Sequence, residues 1–455
     1  MSDEAIDLLA LCKESLDRAG VADVELVARR KVRGAARFSS GALDQHMALD
    51  EPSVVARVAR GRRIAEAQGT TLEPRAIADV IAEAERAAAF VPETESFAGF
   101  AGVGEPHATP PRFADSTALL SDEERTELLR PTLETIERAG LVAAGLLETI
   151  TSAIAVVTTA GCERSHRGTS ANFKVWATET AGARGASGVG GHLHRDVRAL
   201  RIEQETARAV ERCLRGKDPI ELDQGTYDVV FEPAAVAELL EWLSAIAFGA
   251  PEVEQGSSPM RLGERITGEA ISIVEDPLDD GDAGFAAPFD REGTPRAKVT
   301  LVDRGVARAV LHDRTTASRF GTASTGSALF PDAGTSGIGT SALHLAGGDA
   351  DSVDELLRGI RRGLYVCKLH YVNGFLETPR AVMTGMSRDG FFLVEDGKVT
   401  RPVRNLRFTE SFTEALARCD GRTRALTAVP TWWSDGGAVA APAIRVRDFA
   451  FRGGA

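Results

Sequence analysis

The sequence predicts an α+β fold with an N-terminal α/β domain, a middle strand-rich segment, and a C-terminal domain dominated by antiparallel strands with covering helices. Three patterns favour this class. Apolar residues recur at helical spacing near the N-terminus, polar and apolar residues alternate between those helices, and tight-turn signals separate β-branched runs further on. The predicted domains are residues 1–110, 111–222 and 223–455.

Two helices and a strand region are predicted in the N-terminal domain. Apolar residues at helical spacing predict an opening helix over residues 6–19, with Ser2 or Asp3 as its N-cap. Alternation and turn residues predict an extended chain over residues 24–58, and a second apolar stripe predicts a helix over residues 75–90. These elements together form a compact α/β unit.

Helix-breaking residues separate the first two predicted domains. Proline and glycine are frequent in residues 91–114, which predicts an interdomain connection. Ser121 and Glu124 have the spacing of a capping box that starts a helix, and Pro131 is expected to shorten or kink that helix. Residues 149–200 then have the composition of strands.

The C-terminal domain carries two tight-turn signals. Asp303-Arg-Gly305 and Glu395-Asp-Gly397 each lie between apolar, β-branched runs, and this pattern is typical of a two-residue hairpin loop. Helices are predicted over residues 234–248, 354–364 and 410–418. The domain is therefore expected to consist mainly of antiparallel strands with a few helices.

Composition and charge exclude several classes of partner. Of the 455 residues, 43% are apolar and 26% are charged, as in ordinary soluble globular proteins. The net charge of −13 gives no electrostatic basis for gripping a phosphate backbone, so no nucleic-acid partner is expected. No apolar run reaches the roughly 18–20 residues that span a bilayer, so no membrane partner is expected either.

Cysteine usage and the N-terminal residues predict a cytoplasmic protein. The five cysteines are scattered, form no Cys-x-x-Cys pair and are odd in number, which is typical of reduced proteins. The first residues, Met1-Ser-Asp-Glu4, are acidic where a secretory signal would be basic. Export is therefore not expected.

His192-Leu-His194 is the one close histidine pair in the sequence. At strand spacing both rings project from the same face, and a metal ion could use them if Asp196 or a distant cysteine supplied a third ligand. The alternative is a pair of polar residues that face a groove or solvent. Both interpretations remain open at this point.

Several segments after residue 225 resemble the TldD/TldE (PmbA) family. The first is Thr226–Gly249, which resembles the strand and helix that open the C-terminal domain of the family. The others are Ala287-Pro-Phe-Asp-Arg-Glu-Gly293, Val299-Thr-Leu-Val-Asp-Arg-Gly-Val306, Ser318–Gly326, Gly385–Lys398 and Pro442–Asp448. Because the segments over residues 226–455 occur in the order of the family, the chain is identified as a member of it.

The resemblance implies that the metal ligands of the catalytic branch are missing. In the TldD branch, the helix carries His-Glu-x-x-x-His, which supplies two zinc-binding imidazoles and a carboxylate base. Here the same places read Glu-Trp-Leu-Ser-Ala-Ile, so Glu241, Trp242 and Ile246 stand where those three residues would be. The cysteine ligand of that branch falls near Gly436, which is no ligand. The chain is therefore expected to have no catalytic residue, no metal and no cofactor, with zinc in a partner chain.

The helix itself suggests how two of these positions are used. Ile246 shares an apolar face with Val236 and Leu243, so it is predicted to lie in the core. Glu241 is predicted to be solvated or salt-bridged, because a single carboxylate is a poor zinc site.

The family segments also supply candidate substrate-binding residues. Asp290 and Glu292 could orient loops or meet peptide amines, although acidic turn residues more often cap their own backbone. Two adjacent tryptophans near the lost cysteine could cap a peptide groove or plug the vacated metal cavity, and ordinary packing is the alternative. The full set is Asp290, Glu292, Gly293, Thr325, Gly326, Trp432 and Trp433.

The resemblance implies a metal-free subunit of a heteromeric metallopeptidase. In this hypothesis a TldD-like subunit carries the zinc and hydrolyses unfolded or small peptides, while the present chain forms part of the chamber wall. Extended peptides would bind by strand addition at an open sheet edge. The assembly is expected to be a heterodimer, with a homodimer as an alternative. Two other functions stay open: a stand-alone metallopeptidase that uses His192 and His194, and a non-enzymatic peptide-binding or regulatory protein.

Overall fold

The structure is a computed structural model that describes residues 7–104, 110–179, 185–281, 285–330, 337–430 and 438–454. The predicted α+β class is confirmed, with three sheets and helices between and around them. Among these residues, no helix has the length and apolar character needed to cross a membrane. The helices are α1 (Leu8–Ala19), α2 (Pro74–Ala88), α3 (Asp115–Ala118), α4 (Asp122–Arg138), α5 (Ile202–Arg215), α6 (Pro233–Ala247), α7 (Ala250–Glu254), α8 (Arg314–Phe320), α9 (Val353–Leu357) and α10 (Phe412–Ala417).

The first sheet is antiparallel throughout and runs in the order β3-β2-β1-β4-β5-β6. Its strands come from both sides of the predicted boundary near residue 110, because β1 pairs with β4 along most of its length. The first two predicted domains therefore share one sheet, and the division between them stays a prediction. The strands are β1 (Val24–Ser39), β2 (Ala42–Arg60), β3 (Arg63–Gly69), β4 (Val142–Thr158), β5 (Glu163–Thr178) and β6 (Ser187–His194).

Helices cover one face of this sheet, and alternate strand residues meet them. Leu26 of β1 packs with α1 and α2, while Phe38 further along the same strand packs with α4 and α5. The intervening residue Val27 faces the other way and packs with Phe289 of the C-terminal domain. The sheet thus lies between a helical layer and the C-terminal domain.

Helices α1 and α4 differ from the prediction, the first in where it begins and the second in where it ends. The opening helix begins at Leu8, and the Asp7 carboxylate caps it by accepting from the Leu9 and Ala10 amides, each at 3.1 Å. The predicted caps Ser2 and Asp3 lie outside the described residues. Helix α4 is not shortened at Pro131 but continues to Arg138, because buried residues on both sides of the proline pack into the core and outweigh one lost hydrogen bond.

The second sheet runs β10-β9-β8-β11-β18-β17, and only its β11–β18 pair is parallel among the pairs described. The third sheet closes on itself. Its neighbouring strands follow the order β12-β7-β19-β15-β13, and β13 in turn pairs with β12. The strands are β7 (Gly225–Phe231), β8 (Ile273–Glu275), β9 (Val299–Asp303), β10 (Val306–Ala307), β11 (Ala342–Leu345), β12 (Arg362–Glu377), β13 (Val382–Glu395), β14 (Lys398–Pro402), β15 (Leu406–Ser411), β16 (Cys419–Arg422), β17 (Thr427–Pro430), β18 (Ala438–Ala441) and β19 (Ile444–Gly454).

Both predicted hairpin loops are confirmed. Arg304 and Gly305 join β9 to β10 with φ values of 44° and 77°. Asp396 and Gly397 join β13 to β14 with φ values of 51° and 76°. Two successive positive φ values give the turn a backbone twist that matches the right-handed twist of the two flanking strands.

The predicted helix over residues 354–364 is confirmed only over its first turn, and its second half is wrong. Helix α9 ends at Leu357, and the chain enters β12 at Arg362. Pairing with β7 and β13 fixes this segment as a strand. At Gly363 the backbone of β7 is so close that an added Cβ would clash with the Asp228 carbonyl, and it would also lie 2.7 Å from the Ile360 side chain. The helix predicted over residues 410–418 is shorter than expected, because the residues up to Ser411 belong to β15.

Helix α6 lies between the second sheet and the closed third sheet. Pro233 occupies the first turn, where its missing N–H costs nothing, and alanine and leucine dominate the rest. Leu239 and Leu240 share one core with Leu343 of the second sheet and Leu364 of the third. One remaining face of α6 borders the first sheet, and this face forms the candidate site.

Candidate functional site

A cavity of about 420 Å³ lies where α6 meets the first and second sheets. Its volume falls within the range of about 300–1,000 Å³ that is typical of small-ligand sites. The lining comes from β5 and β6, one side of α5, the first three turns of α6, the start of α9, β12, β17 and β18. All three sheets therefore contribute to one partly open cavity.

The three positions at which the family resemblance predicts that the metal motif is lost face different surroundings. Glu241 is buried and lines the cavity. Trp242 packs edge-on against Phe375, with ring centroids 5.1 Å apart. Ile246 is 2% exposed and lies in the core, as predicted. A carboxylate, an indole and an alkyl group cannot replace two imidazoles and a general base, so these residues do not fit the family's zinc ion.

Within the described ranges, no three or more His, Cys, Asp or Glu side chains form a group that could hold a metal ion. Gly436, the place of the family's cysteine ligand, lies outside the described residues, as do Trp432 and Trp433. A special role of the two tryptophans, as a cap on a peptide groove or a plug in the metal cavity, stays a prediction.

Four of the charged side chains that line the cavity influence one another electrostatically. Glu238 and Glu241 lie on α6, Lys174 lies on β5, and Lys368 lies on β12. Burial raises the pKa of Glu238 to about 7, while the charge of Lys368 opposes this shift and the charge of Glu241 adds to it. Burial lowers the pKa of Lys174, and the charge of Lys368 lowers it further. The Lys368 ammonium also lies 5.0 Å from the centroid of the Trp176 ring.

The Glu238→Gln variant is expected to gain stability relative to the parent protein as pH rises. The ordinary pKa of 4.5 applies in the unfolded chain, so between pH 4.5 and about pH 7 the carboxyl group is ionised in the unfolded chain but stays protonated in the folded one, and the stability of the parent protein falls as pH rises. The glutamine lacks this penalty, and the difference in unfolding free energy should reach about 1–3 kcal/mol above pH 7. Urea unfolding across this pH range measures it, with exposed Glu203→Gln as the control. A pH-independent difference would contradict the assignment.

Helix α5 caps the outer edge of β6. Glu205 accepts from the Gly191 amide at 3.2 Å, and Arg212 donates to the Val189 carbonyl at 2.7 Å. The helix approaches closely because β6 has glycines at this contact, and a Cβ on Gly190 would lie 2.8 Å from the carbonyl carbon of Glu205. Two backbone groups of β6, the Val189 carbonyl and the Gly191 amide, are therefore occupied by side chains of the same chain.

Strand β17 offers a different edge. It ends the second sheet and pairs with β18, and no other strand of the described ranges pairs with it. All four of its residues, Thr427–Pro430, line the cavity. An open strand edge is the feature that allows an extended peptide to add to a sheet.

Asp290, Glu292 and Gly293 lie at the contact between the first sheet and the C-terminal domain, not in the cavity wall. Asp290 accepts from the amides of Glu292, Thr294 and Ala328 at 2.9–3.1 Å, so it caps its own loop and ties it to a second segment. Burial raises the pKa of Asp290 above its ordinary value, and the charge of Glu292 raises it further. These contacts are structural, and a role in peptide binding stays a prediction.

Glu292 joins the two parts of the molecule. It accepts from Arg57 of β2 at 2.9 Å and from the Arg314 amide at 2.8 Å. Arg57 also donates to Glu25 of β1 at 2.6 Å. At Gly293, with φ 73°, a Cβ would come within 2.5 Å of the Cys162 sulfur, so only glycine fits.

Thr325 and Gly326 also serve the local backbone. The Thr325 hydroxyl accepts from the His312 amide at 2.8 Å. Gly326 has φ 68°, and a Cβ there would meet the Pro295 carbonyl oxygen at 2.5 Å. Neither residue lines the cavity, and their contact with peptides stays a prediction.

The histidine pair has other partners. The ring of His194 accepts from the Asp196 amide at 2.9 Å, assigning the acceptor role to Nδ1. The Asp196 carboxylate accepts from Ser116 at 2.5 Å and from the Arg198 amide at 2.9 Å, so it caps the short 3₁₀ turn that follows β6. His192 is buried at the cavity wall. Asp196, one of the two kinds of third ligand that a relocated metal site could use, is thus engaged elsewhere.

Sequence reasoning missed Glu238, Lys174 and Lys368 as site residues. The i, i+3 spacing of Glu238 and Glu241 on one helix could have shown that two carboxylates share a face. The two lysines carry no such signal, because each lies on a strand that only the tertiary fold brings to α6.

A profile of the PmbA/TldA metallopeptidase C-terminal domain matches residues 224–453. The crystal structure of TldE from Thermococcus kodakarensis has the same fold, with a TM-score of 0.88 and 18% identity over 97% of this chain and 100% of that one. A metalloprotease from Methanothermobacter thermautotrophicus is 28% identical over 222 residues, or 48% of this chain and 47% of its own length. A metalloprotease TldD homolog from Buchnera aphidicola is 22% identical over 223 residues, or 48% and 45% of the two chains. The chain spans about half the length of the curated relatives it matches.

Proposed function

This chain belongs to the PmbA/TldD metallopeptidase family, and on that premise we propose that it is a metal-free subunit of a two-chain peptidase. A TldD-like partner carries the zinc ion and hydrolyses the peptide bond. The present chain encloses and binds unfolded or small peptides next to that site. A cytoplasmic location is part of the proposal, and five buried, unpaired cysteines support it.

The donor set of α6 carries this proposal. Glu241, Trp242 and Ile246 occupy the places of the catalytic motif, and none of the three can act there as an imidazole ligand or as the base beside a zinc-bound water. A cavity lies beside the same helix, and it is large enough for a small ligand. A helix without metal ligands beside a cavity of this size supports a binding role.

Strand addition at β17 is the proposed mode of peptide binding. An extended peptide that pairs with β17 would satisfy its backbone groups beside the cavity. The edge of β6 is less suited, because Glu205 and Arg212 already occupy two of its backbone groups. The partner subunit is proposed to make a heterodimer, with a homodimer as the alternative assembly.

We expect the purified chain to show no peptidase activity alone and to increase the activity of a zinc-bearing TldD-type partner on mixing. The reason is that each chain would supply only part of the chamber. Hydrolysis of a long, unstructured peptide by each chain and by the mixture measures this, and a partner with its His-Glu-x-x-x-His glutamate replaced is the control. A partner that is fully active alone and unaffected by this chain would contradict the proposal.

Two other outcomes would select the alternative functions. Chelator-sensitive hydrolysis by the isolated chain, lost on replacing His192 and His194, would favour a stand-alone metallopeptidase. Peptide binding by the chain with no effect on any TldD-type partner would favour a peptide-binding or regulatory protein.

A further inference from the structure

The cavity beside α6 presents both signs of charge on separate structural elements. Glu238 and Glu241 are three residues apart on α6, a spacing that places both carboxylates on one helix face. Lys174 on β5 and Lys368 on β12 supply two ammonium groups, and both interact electrostatically with Glu238. All four residues line the same partly open cavity.

We propose that this cavity binds short peptides with two free termini, with the peptide ammonium group paired to Glu238 and Glu241 and the peptide carboxylate paired to Lys174 and Lys368. The inference rests on the proposed peptide-binding function and names the ligand class of the same site. The cavity volume of about 420 Å³ admits a peptide of a few residues and excludes a folded chain.

Charges of both signs surround the cavity, and burial shifts the pKa values of Glu238 and Lys174 by more than the surrounding opposite charges offset. The pKa of Glu238 is raised, first by burial and further by the charge of Glu241, although both lysines oppose the shift. The pKa of Lys174 is lowered, first by burial and further by the charge of Lys368, although the carboxylates oppose that shift. A ligand with an ammonium group at one end and a carboxylate at the other supplies the opposite charge to each pair.

The backbone edge in the same cavity favours a peptide over a free amino acid. Strand β17 borders the space with all four of its residues and pairs with only one strand of the described part of the chain. A peptide can use this edge for its amide groups while its termini meet the charged pairs. A free amino acid has two charged ends but no internal amide to pair with the strand.

The test compares trialanine in three forms by isothermal titration calorimetry with the full chain. Free trialanine is expected to bind about tenfold or more tightly than its N-acetylated form, and by a similar factor more tightly than its C-amidated form, because each modification removes one charge-assisted pairing. Equal binding of the free and blocked peptides, or no binding of any form at millimolar concentration, would overturn the proposal.

Variants separate the two ends of the site. Glu238→Gln is expected to reduce the discrimination against the acetylated peptide while leaving the discrimination against the amide. Lys368→Met is expected to do the reverse. Exposed Glu203→Gln should change neither. Thermal unfolding of each variant confirms that the chain is folded, and discrimination that is unchanged in both site variants would contradict the assignment.

Failure of this inference differs from failure of the proposed function. A reconstituted pair that cleaves a long peptide while this chain ignores the termini of trialanine would refute only the terminus-binding site. A chain that discriminates between the peptides but never influences a TldD-type partner would refute only the two-chain peptidase.

Discussion

Replacing Arg57 with methionine will lower the free energy of unfolding by about 3–5 kcal/mol, because the change leaves two buried carboxylates without their shared cation. Arg57 donates to Glu25 at 2.6 Å and to Glu292 at 2.9 Å. Glu25 is fully buried on β1, and Glu292 is 2% exposed in the C-terminal domain. The charges of these two carboxylates overcome the effect of burial and raise the pKa of Arg57. The guanidinium is therefore a charged link between the first sheet and the C-terminal domain.

The loss is expected to be smaller in mildly acidic buffer. Burial raises the pKa of Glu292 and the charge of Arg57 opposes that shift, so the pKa will rise further in the variant. A raised carboxylate pKa costs folded-state stability as pH rises, and protonation below that pKa removes the cost. Urea unfolding in neutral and mildly acidic buffer measures both effects.

Glu163→Gln is the control for this comparison. It breaks the Lys13–Glu163 ion pair, in which both side chains are about half exposed, and should change the unfolding free energy by less than about 1 kcal/mol. An Arg57→Met loss no larger than that of the control would contradict the proposed link.

Replacing Gly190 with alanine will destabilise the protein by about 3 kcal/mol, because the added methyl group has no space between β6 and α5. A Cβ at Gly190 would lie 2.8 Å from the carbonyl carbon of Glu205 and closer still to its oxygen, both of which are helix backbone. The helix must move away from the sheet, and this also weakens the contact of Glu205 with the Gly191 amide. Urea unfolding measures the loss.

Gly168→Ala is a matched control, because Gly168 also lies in a strand of the first sheet. Its nearest neighbours would be 3.5–3.7 Å from the new Cβ, which is ordinary van der Waals contact. The control should therefore cost much less. Equal losses for the two variants would show that alanine is unfavourable in these strands for a reason unrelated to α5.

The sequence predicted elements wherever a local pattern decided them. The hairpins at Arg304-Gly305 and Asp396-Gly397 were recognisable because few residues adopt two successive positive φ values. Helix α6 was recognisable from its apolar periodicity and its first-turn Pro233.

Tertiary pairing decided what local patterns could not. The segment after Leu357 resembles a helix locally but becomes β12, because it closes the third sheet between β7 and β13. Helix α4 continues past Pro131 for a similar reason, since packing on both sides of the proline fixes its path. Closure of that sheet and sharing of the first sheet across residue 110 depend on partners distant in sequence.

The candidate site also contains some residues that local sequence patterns predict and others that only the tertiary fold brings together. Ile246 was predicted as a core residue because its apolar face is visible in the sequence. The charged pairs of the cavity were not predictable, since Lys174 and Lys368 are nearly two hundred residues apart and meet Glu238 only in the folded chain. For Asp290, the turn sequence indicated self-capping as the more frequent role, and the backbone contacts of the loop agree with it.

We propose that this chain cannot hold a catalytic zinc ion and so depends on another chain for hydrolysis. The most direct test is the zinc content of the isolated protein, measured by mass spectrometry after incubation with zinc and removal of loosely bound metal. We predict a content far below one ion per chain, unchanged in Glu241→Gln. One tightly bound zinc ion per chain, lost in that variant or on replacing His192 and His194, would contradict the account.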